Sequence, residues 1–549
     1  MAFSAAISGY RGWHRSRYWR SIASARSDEK CDSQETGFLT SSANKEHPLG
    51  PGRIRSIVIL GGGTAGWMTA TALARSFGRA VTITLLESEE IGTVGVGEAT
   101  IPTIHWFNEL IGLDEADFLR ATKASFKLGI EFVDWKRPGH RYFHPFGEFG
   151  ARLPGVAFHH RWLKARAAGV DLPLSSFSLA GQLAAENRFA KPVGDARSIL
   201  STLGYAYHFD ASLYARHLRG IAEAAGVTRI EGRLQDVERD PSSGFVTALT
   251  TQRGERLEGD LFIDCSGFRA LLIDQVMGGD FEDWSHWLPC DRAAAVPCAR
   301  VAETTPYTRS TAREAGWQWR IPLQHRTGNG YVYASRFISD DEATATLLAN
   351  LDGEALADPR VLRFTAGTRR RAWIGNVVAI GLSSGFLEPL ESTSIHLIQS
   401  GIAKLLTLFP DRDCDPTLAE RFNMLLNADM DTIKDFLILH YHATTDKPEP
   451  FWAERRAMPL PQSLVEREDQ YRRSGRLMLR SDELFRDASW LAVLDGQGIE
   501  AGDYNPLADA LDATTNVAQV RQIAAVIARA VPTLPRHDEA LAQAMASTG

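Results

Sequence analysis

Cysteine is scarce in these 549 residues. There are five, Cys31, Cys265, Cys290, Cys298 and Cys414, and no two stand at CxxC spacing. That excludes a disulfide framework and a zinc knuckle, and it points to a reducing, cytoplasmic compartment. A basic stripe is also missing: 60 Lys and Arg face 67 Asp and Glu, for a net charge of -7, which argues against nucleic acid as the partner. No membrane association is expected either. The longest uncharged run, Ser56 to Ala74, is broken by glycines at 61, 62 and 63, so it reads as buried strand, tight turn and helix rather than as a span. Repeats and low-complexity tracts are absent. The histidines of "HYH" at 440–442 have no acidic or cysteine companion in the sequence, so they read as packing and no metal site is expected.

What is present is the composition of a soluble globular protein, 44% hydrophobic and 23% charged, long enough for two or more modules. Residues 1–53 carry Arg11, Arg15, Arg17, Arg20 and Arg26 with no acid before Asp28. This is the composition of a transit peptide or of a disordered extension, and it is set aside from the fold. From Ile54 the pattern becomes an alternation of β-branched strands and helices, the signature of an α/β, doubly wound parallel sheet of Rossmann type. The strands "IRSIVIL", "VTITLLE", "DLFIDCSGFR" and "NVVAIGLSSGF" each run into a small-residue turn or a single acid, which suggests one extended ligand touched at several points. The expected organisation is a nucleotide-binding module over 54–442 and a mainly helical C-terminal module over 443–549 that covers the substrate site.

"GGGTAG" sets Gly61, Gly63 and Gly66 in GxGxxG spacing between a strand and a helix, with Thr64 and Ala65 opening that helix. Glycine permits the turn and the close approach of a pyrophosphate, and the helix N-terminus favours its charge. Glu87, twenty-one residues after Gly66, is placed to accept from ribose hydroxyls. The motif alone does not separate FAD from NAD. The separated turns around "DCSGFR" and "IGLSSGF" favour FAD, whose phosphate, ribityl chain and ring each need a backbone approach.

Two further stretches stand out. In "FLEPLESTSIHLIQSGIAKLLTLF" the apolar residues keep a helical period, Ser392, Thr393 or Ser394 can cap the helix, and its N-terminus can face an anion or a flavin ring edge. Glu391 is then either a solvated capping partner or a buried acid with a raised pKa. "GWQWRIP", Gly316 to Pro322, holds two indoles around a glutamine and ends in proline, which disfavours an amphipathic helix or a central strand. Lys123 and Lys127 cannot be told apart by their surroundings in the sequence.

Together, "GGGTAGW" at 61–67, "VGVGEATIP" at 94–102, "ASFKLGIEFVDW" at 124–135, "DCSGFR" at 264–269, "GWQWRIP" at 316–322 and "EPLEST" at 388–393 resemble the flavin-dependent tryptophan halogenases, over about 54–452. The resemblance implies FAD, supplied as FADH2 by a separate flavin reductase, and a halide, chloride or bromide, as co-substrate. Reduced flavin and oxygen would give a peroxyflavin, from which the halide forms hypohalous acid. That acid would pass via Lys127 to an electron-rich aromatic, an indole or tryptophan-like molecule. By the same resemblance Glu391 would stabilise the arenium intermediate and accept its proton, and Thr393 and Ser394 would bind halide through their backbone. His144 and Phe146 would hold the flat ring, while Trp317 and Trp319 would keep substrate from the flavin. Glu98, Leu234, Leu382 and Ile395 are expected beside the cofactor, and a homodimer is an expectation of the same kind.

Two features depart from the family pattern. Ser394 stands where tryptophan-specific members have glycine, and a shorter "SDELFRDASWLAVLDGQG" replaces the stretch that clamps the amino-acid part of tryptophan. The rival readings are an aromatic hydroxylase of the same fold and a flavin-binding protein without turnover.

Overall fold

A computed structural model describes residues 52–90, 97–151 and 155–546. The expectations for residues 1–51, and for positions 94–96 of "VGVGEATIP", lie outside the described residues.

The apolar β-branched strand Ser56–Leu60 is central to a six-stranded sheet. Its order runs Trp373–Ile374, Val377–Ala379, Leu261–Asp264, Ser56–Leu60, Thr82–Glu87, Thr228–Glu231, and every pair is parallel except the first. This is the expected doubly wound sheet. The helix Thr64–Phe77 follows its first strand directly, and its buried face runs from Gly66 through Ala74.

A second, seven-stranded sheet is mixed. It places Gly316–Pro322 between Arg326–Tyr333 and Thr308–Arg313, with Gly129–Val133 and Arg141–Pro145 beyond. "GWQWRIP" is thus an interior strand, all seven residues buried, against the expectation drawn from its proline. Pro322 occupies the last position of the ladder, opposite Thr327, where a missing N–H disturbs least. Trp319 lies across Gly330, whose missing Cβ makes the room: one built there would fall 2.1 Å from the indole.

The helix Pro416–His442 runs along the second sheet's core, where Ile433, Phe436, Leu437 and Ile438 pack with Trp317, Trp452 and Trp490. Later helices join both cores, since Trp490 packs with the second sheet while Ile527, Val531 and Leu541 pack with the first. Between the sheets the short strand Ser125–Lys127 pairs with Ala206–Phe209. His537, from the last helix His537–Ala546, accepts from the Phe126 amide through Nε2 and donates to the Thr304 carbonyl through Nδ1. The chain's C-terminal end therefore supports the strand that carries Lys127. No helix among the described residues is long and apolar enough to cross a membrane.

Candidate functional site

The glycine turn forms an anion cradle by elimination of side chains. A Cβ on Gly61 would sit 2.2 Å from the Cys265 carbonyl oxygen and one on Gly66 would sit 1.8 Å from the Gly61 oxygen, so both are required for packing. Gly63 is different: nothing lies within 4 Å of the position its Cβ would take. It is the N-cap of Thr64–Phe77 and supplies no side-chain cap, so the first amides of that helix face open space. Gly381, at a positive φ of 78°, brings the turn Gly381–Ser383 within 2.8 Å of Ala65 for a built Cβ, which seats Leu382 near the cradle.

Leu234 edges a cavity of about 320 Å³ with Glu90, Arg233, Gln252, Arg269 and Leu271. Glu87 ends its strand as expected, but its Oε1 is 2.5 Å from Arg229 Nε and its Oε2 lies over Gly62, so the carboxylate expected to accept from ribose is also an ion-pair partner. Glu98 opens the strand Glu98–Ala99, and burial pushes its carboxyl up to about 7. An uncapped helix start, a strand-end acid and three converging turns fit a dinucleotide-length cofactor.

The turn Pro389–Glu391 and the helix Ser394–Thr407 build the second half of the site. Thr393 takes the N-cap position but makes no side-chain cap, so the expected hydroxyl cap is absent and its Oγ1 is buried without a hydrogen-bond partner. The backbone turns at Ser392, in the left-handed region at φ 59°, just before the helix start. Ile395 is buried in the first turn and Ser394 is half-buried. A short anion fits this uncapped end.

Lys127 and Glu391 are both 0% exposed. Lys123 instead terminates the helix Glu115–Thr122 in the left-handed region and is exposed, which separates the two lysines. Lys127 Nζ donates to the Thr100 carbonyl at 3.1 Å and to Ser392 Oγ at 2.7 Å, and it lies 5.0 Å over the Phe146 ring. Burial lowers its pKa to about 7, against the opposing attraction of Glu391.

His144 Nδ1 donates to Glu391 Oε2 at 2.8 Å. His440 Nε2 stands 2.8 Å from Oε1, within ion-pair distance though not aligned as a hydrogen bond. Burial would raise this carboxyl, but the two imidazoles outweigh it and hold it down to about 2. Glu391 is thus neither a solvated cap nor an acid with a raised pKa: its neighbours come from distant strands and helices that the local sequence does not reveal.

The "HYH" segment needs correcting in the same way. His440 Nδ1 is 2.8 Å from the Phe436 carbonyl, which can only accept, so that nitrogen carries a hydrogen. His442 Nε2, two residues on, lies 3.9 Å from Glu468. The signal in the sequence was the setting of His440: a polar residue inside "DFLILHYH", on a helix face otherwise apolar.

Glu388 and Tyr441 were missed altogether. Glu388, also 0% exposed, accepts from the Trp317 indole at 3.0 Å and from the Tyr441 hydroxyl, and burial pushes it up to about 7. It pins the first indole of "GWQWRIP", while Trp319 packs 6.1 Å from Trp317.

Residues 56–513 match the family model described as tryptophan halogenase. Tryptophan 6-halogenase SttH of Streptomyces toxytricini is 38% identical, covering 76% of this chain and 83% of that protein. The 7-chloro-L-tryptophan 6-halogenase KtzR of Kutzneria sp. (strain 744) is 36% identical, covering 89% and 99%. Among solved structures, BrvH, a flavin-dependent halogenase from Brevundimonas sp. BAL3, superposes with a TM-score of 0.86 at 47% identity, over 90% of this chain and 99% of that one. Xcc4156, a flavin-dependent halogenase from Xanthomonas campestris, gives 0.87 at 46%, with the same coverage. The chain belongs to the tryptophan halogenase family and is a flavin-dependent halogenase.

Proposed function

We propose that the chain halogenates an electron-rich aromatic, an indole or tryptophan-like molecule, with electrophilic halogen delivered past Lys127 to a ring held beside Glu391. The observation that carries this reading is the meeting of two wholly buried ionisable groups at one short turn, Lys127 bound from its strand to Ser392 and Glu391 immediately before that serine.

Gly63, the start of Thr64–Phe77, Glu87, Glu98, Leu234, Leu382 and Ile395 would hold FAD, taken up as FADH2 from a separate reductase. When bound with oxygen and a halide, that flavin supplies hypohalous acid. Thr393 and Ser394, at the uncapped helix start, hold the chloride or bromide through backbone amides. Trp317 and Trp319 wall the flavin off from the aromatic, and the hydrogen bond from Trp317 to Glu388 fixes that wall.

Lys127 shares its ammonium hydrogens with Thr100 and Ser392, and with a pKa near 7 it has a neutral amine population at ordinary pH. Such an amine either hydrogen-bonds hypohalous acid or takes its halogen on nitrogen, the oxygen–halogen bond breaking and water leaving with the amine's proton, and both routes carry the halogen toward the ring. Attack by the ring leaves a cationic arenium, which the Glu391 carboxylate stabilises. Glu391 then accepts the ring proton.

The test is mass spectrometry of products from indole and from tryptophan with FAD, NADH, a generic flavin reductase and either bromide or chloride. Halogenated product, lost in Lys127→Ala, is expected. Oxygenated product independent of halide would favour the hydroxylase instead.

A further inference from the structure

The site around Glu391 is closed. Glu391 and Lys127 are 0% exposed and His144 is 1% exposed, so no water-sized space lies against them. A substrate ring beside Glu391 must therefore displace protein atoms, and the question is which wall can move.

The aromatic layer around the carboxylate has few members. The His144 ring lies 5.7 Å from Phe436 and 6.1 Å from Phe485, and Phe436 is 5.0 Å from His440. His144 is held in the ladder of Arg141–Pro145, and Phe436 and His440 sit on the 27-residue helix Pro416–His442. Phe485 alone among them comes from an irregular stretch, 475–486, between the helices Gln462–Ser474 and Asp487–Gln497. It stacks on Phe436 at 4.0 Å with rings 27° apart, and it is 6% exposed where Phe436 and His440 are fully buried.

The stretch has a solvent side as well. Met478 is 71% exposed, and Arg476, Met478 and Asp487 line a cavity of about 330 Å³ together with His159 and His160. The connection is tethered by the fork of Arg467 on Glu483, at 2.8 and 3.0 Å, two residues before the phenylalanine.

We propose that Phe485 is the displaceable wall of the substrate site. An aromatic entering from the cavity at Arg476 and Met478 takes the place of the Phe485 ring against Phe436 and His144, which brings its edge to Glu391. The size of the Phe485 side chain then sets the size of aromatic accepted. This rests on the reading that Glu391 meets the substrate. Replacing one stacked ring by another keeps the burial of Phe436, so the exchange opposes entry only weakly.

Steady-state halogenation of indole and of a phenyl-substituted indole separates the outcomes. For Phe485→Ala the KM for the larger substrate should fall about tenfold relative to the KM for indole. For Phe485→Trp the KM for indole should rise about tenfold. Phe485→Leu, with thermal denaturation of each variant, guards against a folding defect and should fall between wild type and Phe485→Ala. KM ratios between the two substrates that are the same in wild type and in all folded variants would overturn the proposal. Glu391→Gln distinguishes the two levels: if it retains wild-type turnover, the underlying reading fails. If it is inactive while the Phe485 variants are blind to substrate size, only the displaceable wall fails.

Discussion

Glu388 and Glu391 lie three residues apart on one turn, are equally buried, and titrate in opposite directions. Glu388 meets neutral donors, an indole N–H and a phenol, and burial pushes it up to about 7. Glu391 meets two imidazoles and is held down to about 2. Burial is common to both, so it cannot be what distinguishes them; the partners are. A neutral donor can bond either form of an acid, whereas a group able to carry positive charge favours the anion alone. The first arrangement suits a fixed structural post behind Trp317. The second suits a base that must be charged when a cationic intermediate forms beside it.

The largest expected effect is at Glu391. Glu391→Gln keeps the shape but removes the base, and kcat for halogenation should fall by about 10²- to 10⁴-fold. A variant within threefold of wild type would erase the functional difference between the two acids.

Glu388→Gln should act on stability instead. The folded pKa of Glu388, about 7, exceeds the 4.5 of an ordinary glutamate, so the folded form binds more protons between those values. Its contribution is full below about pH 4.5 and is lost as pH rises through 7. Urea denaturation should show wild type weakening across this window relative to Glu388→Gln, by on the order of 3 kcal/mol above pH 7. Glu391 has the reverse slope, its contribution being present above pH 4.5 and lost toward pH 2. Parallel pH curves for wild type and Glu388→Gln would contradict the contrast.

His440→Ala sharpens the comparison by making Glu391 more like Glu388. With one imidazole gone, its carboxyl should rise from about 2, and the acid limb of the kcat profile should move to higher pH by about one unit, so that the variant loses rate near pH 3 and keeps it at pH 6. An unmoved limb would mean that His144 alone holds the anion. The smallest effect is at the post. Trp317→Phe removes the indole donor to Glu388 and should cost about 1 kcal/mol in denaturation, with oxygenated by-product as the sign of a loosened wall.

The parallel sheet and the glycine turn were legible because strand, turn and helix are local patterns with their own periods. Gly61 and Gly66 prove to be packing positions, while Gly63 faces open space. "GWQWRIP" misled because its proline was weighed without its register: at the last rung it ends the strand rather than breaking it. His440 misled for a different reason. Its acidic companion is 49 residues away in the chain, and a helix, a turn and a strand must pack before Nε2 meets Oε1.

The sequence by itself determined that the chain would form a doubly wound sheet with a dinucleotide turn, because hydrophobic period, glycine spacing and capping act over a few residues. Which lysine is buried and which acid is charged were decided only by the tertiary structure. Protonation depends on the sum of burial and neighbouring charge at one point in space, and that point is assembled here from residues 127, 144, 391 and 440.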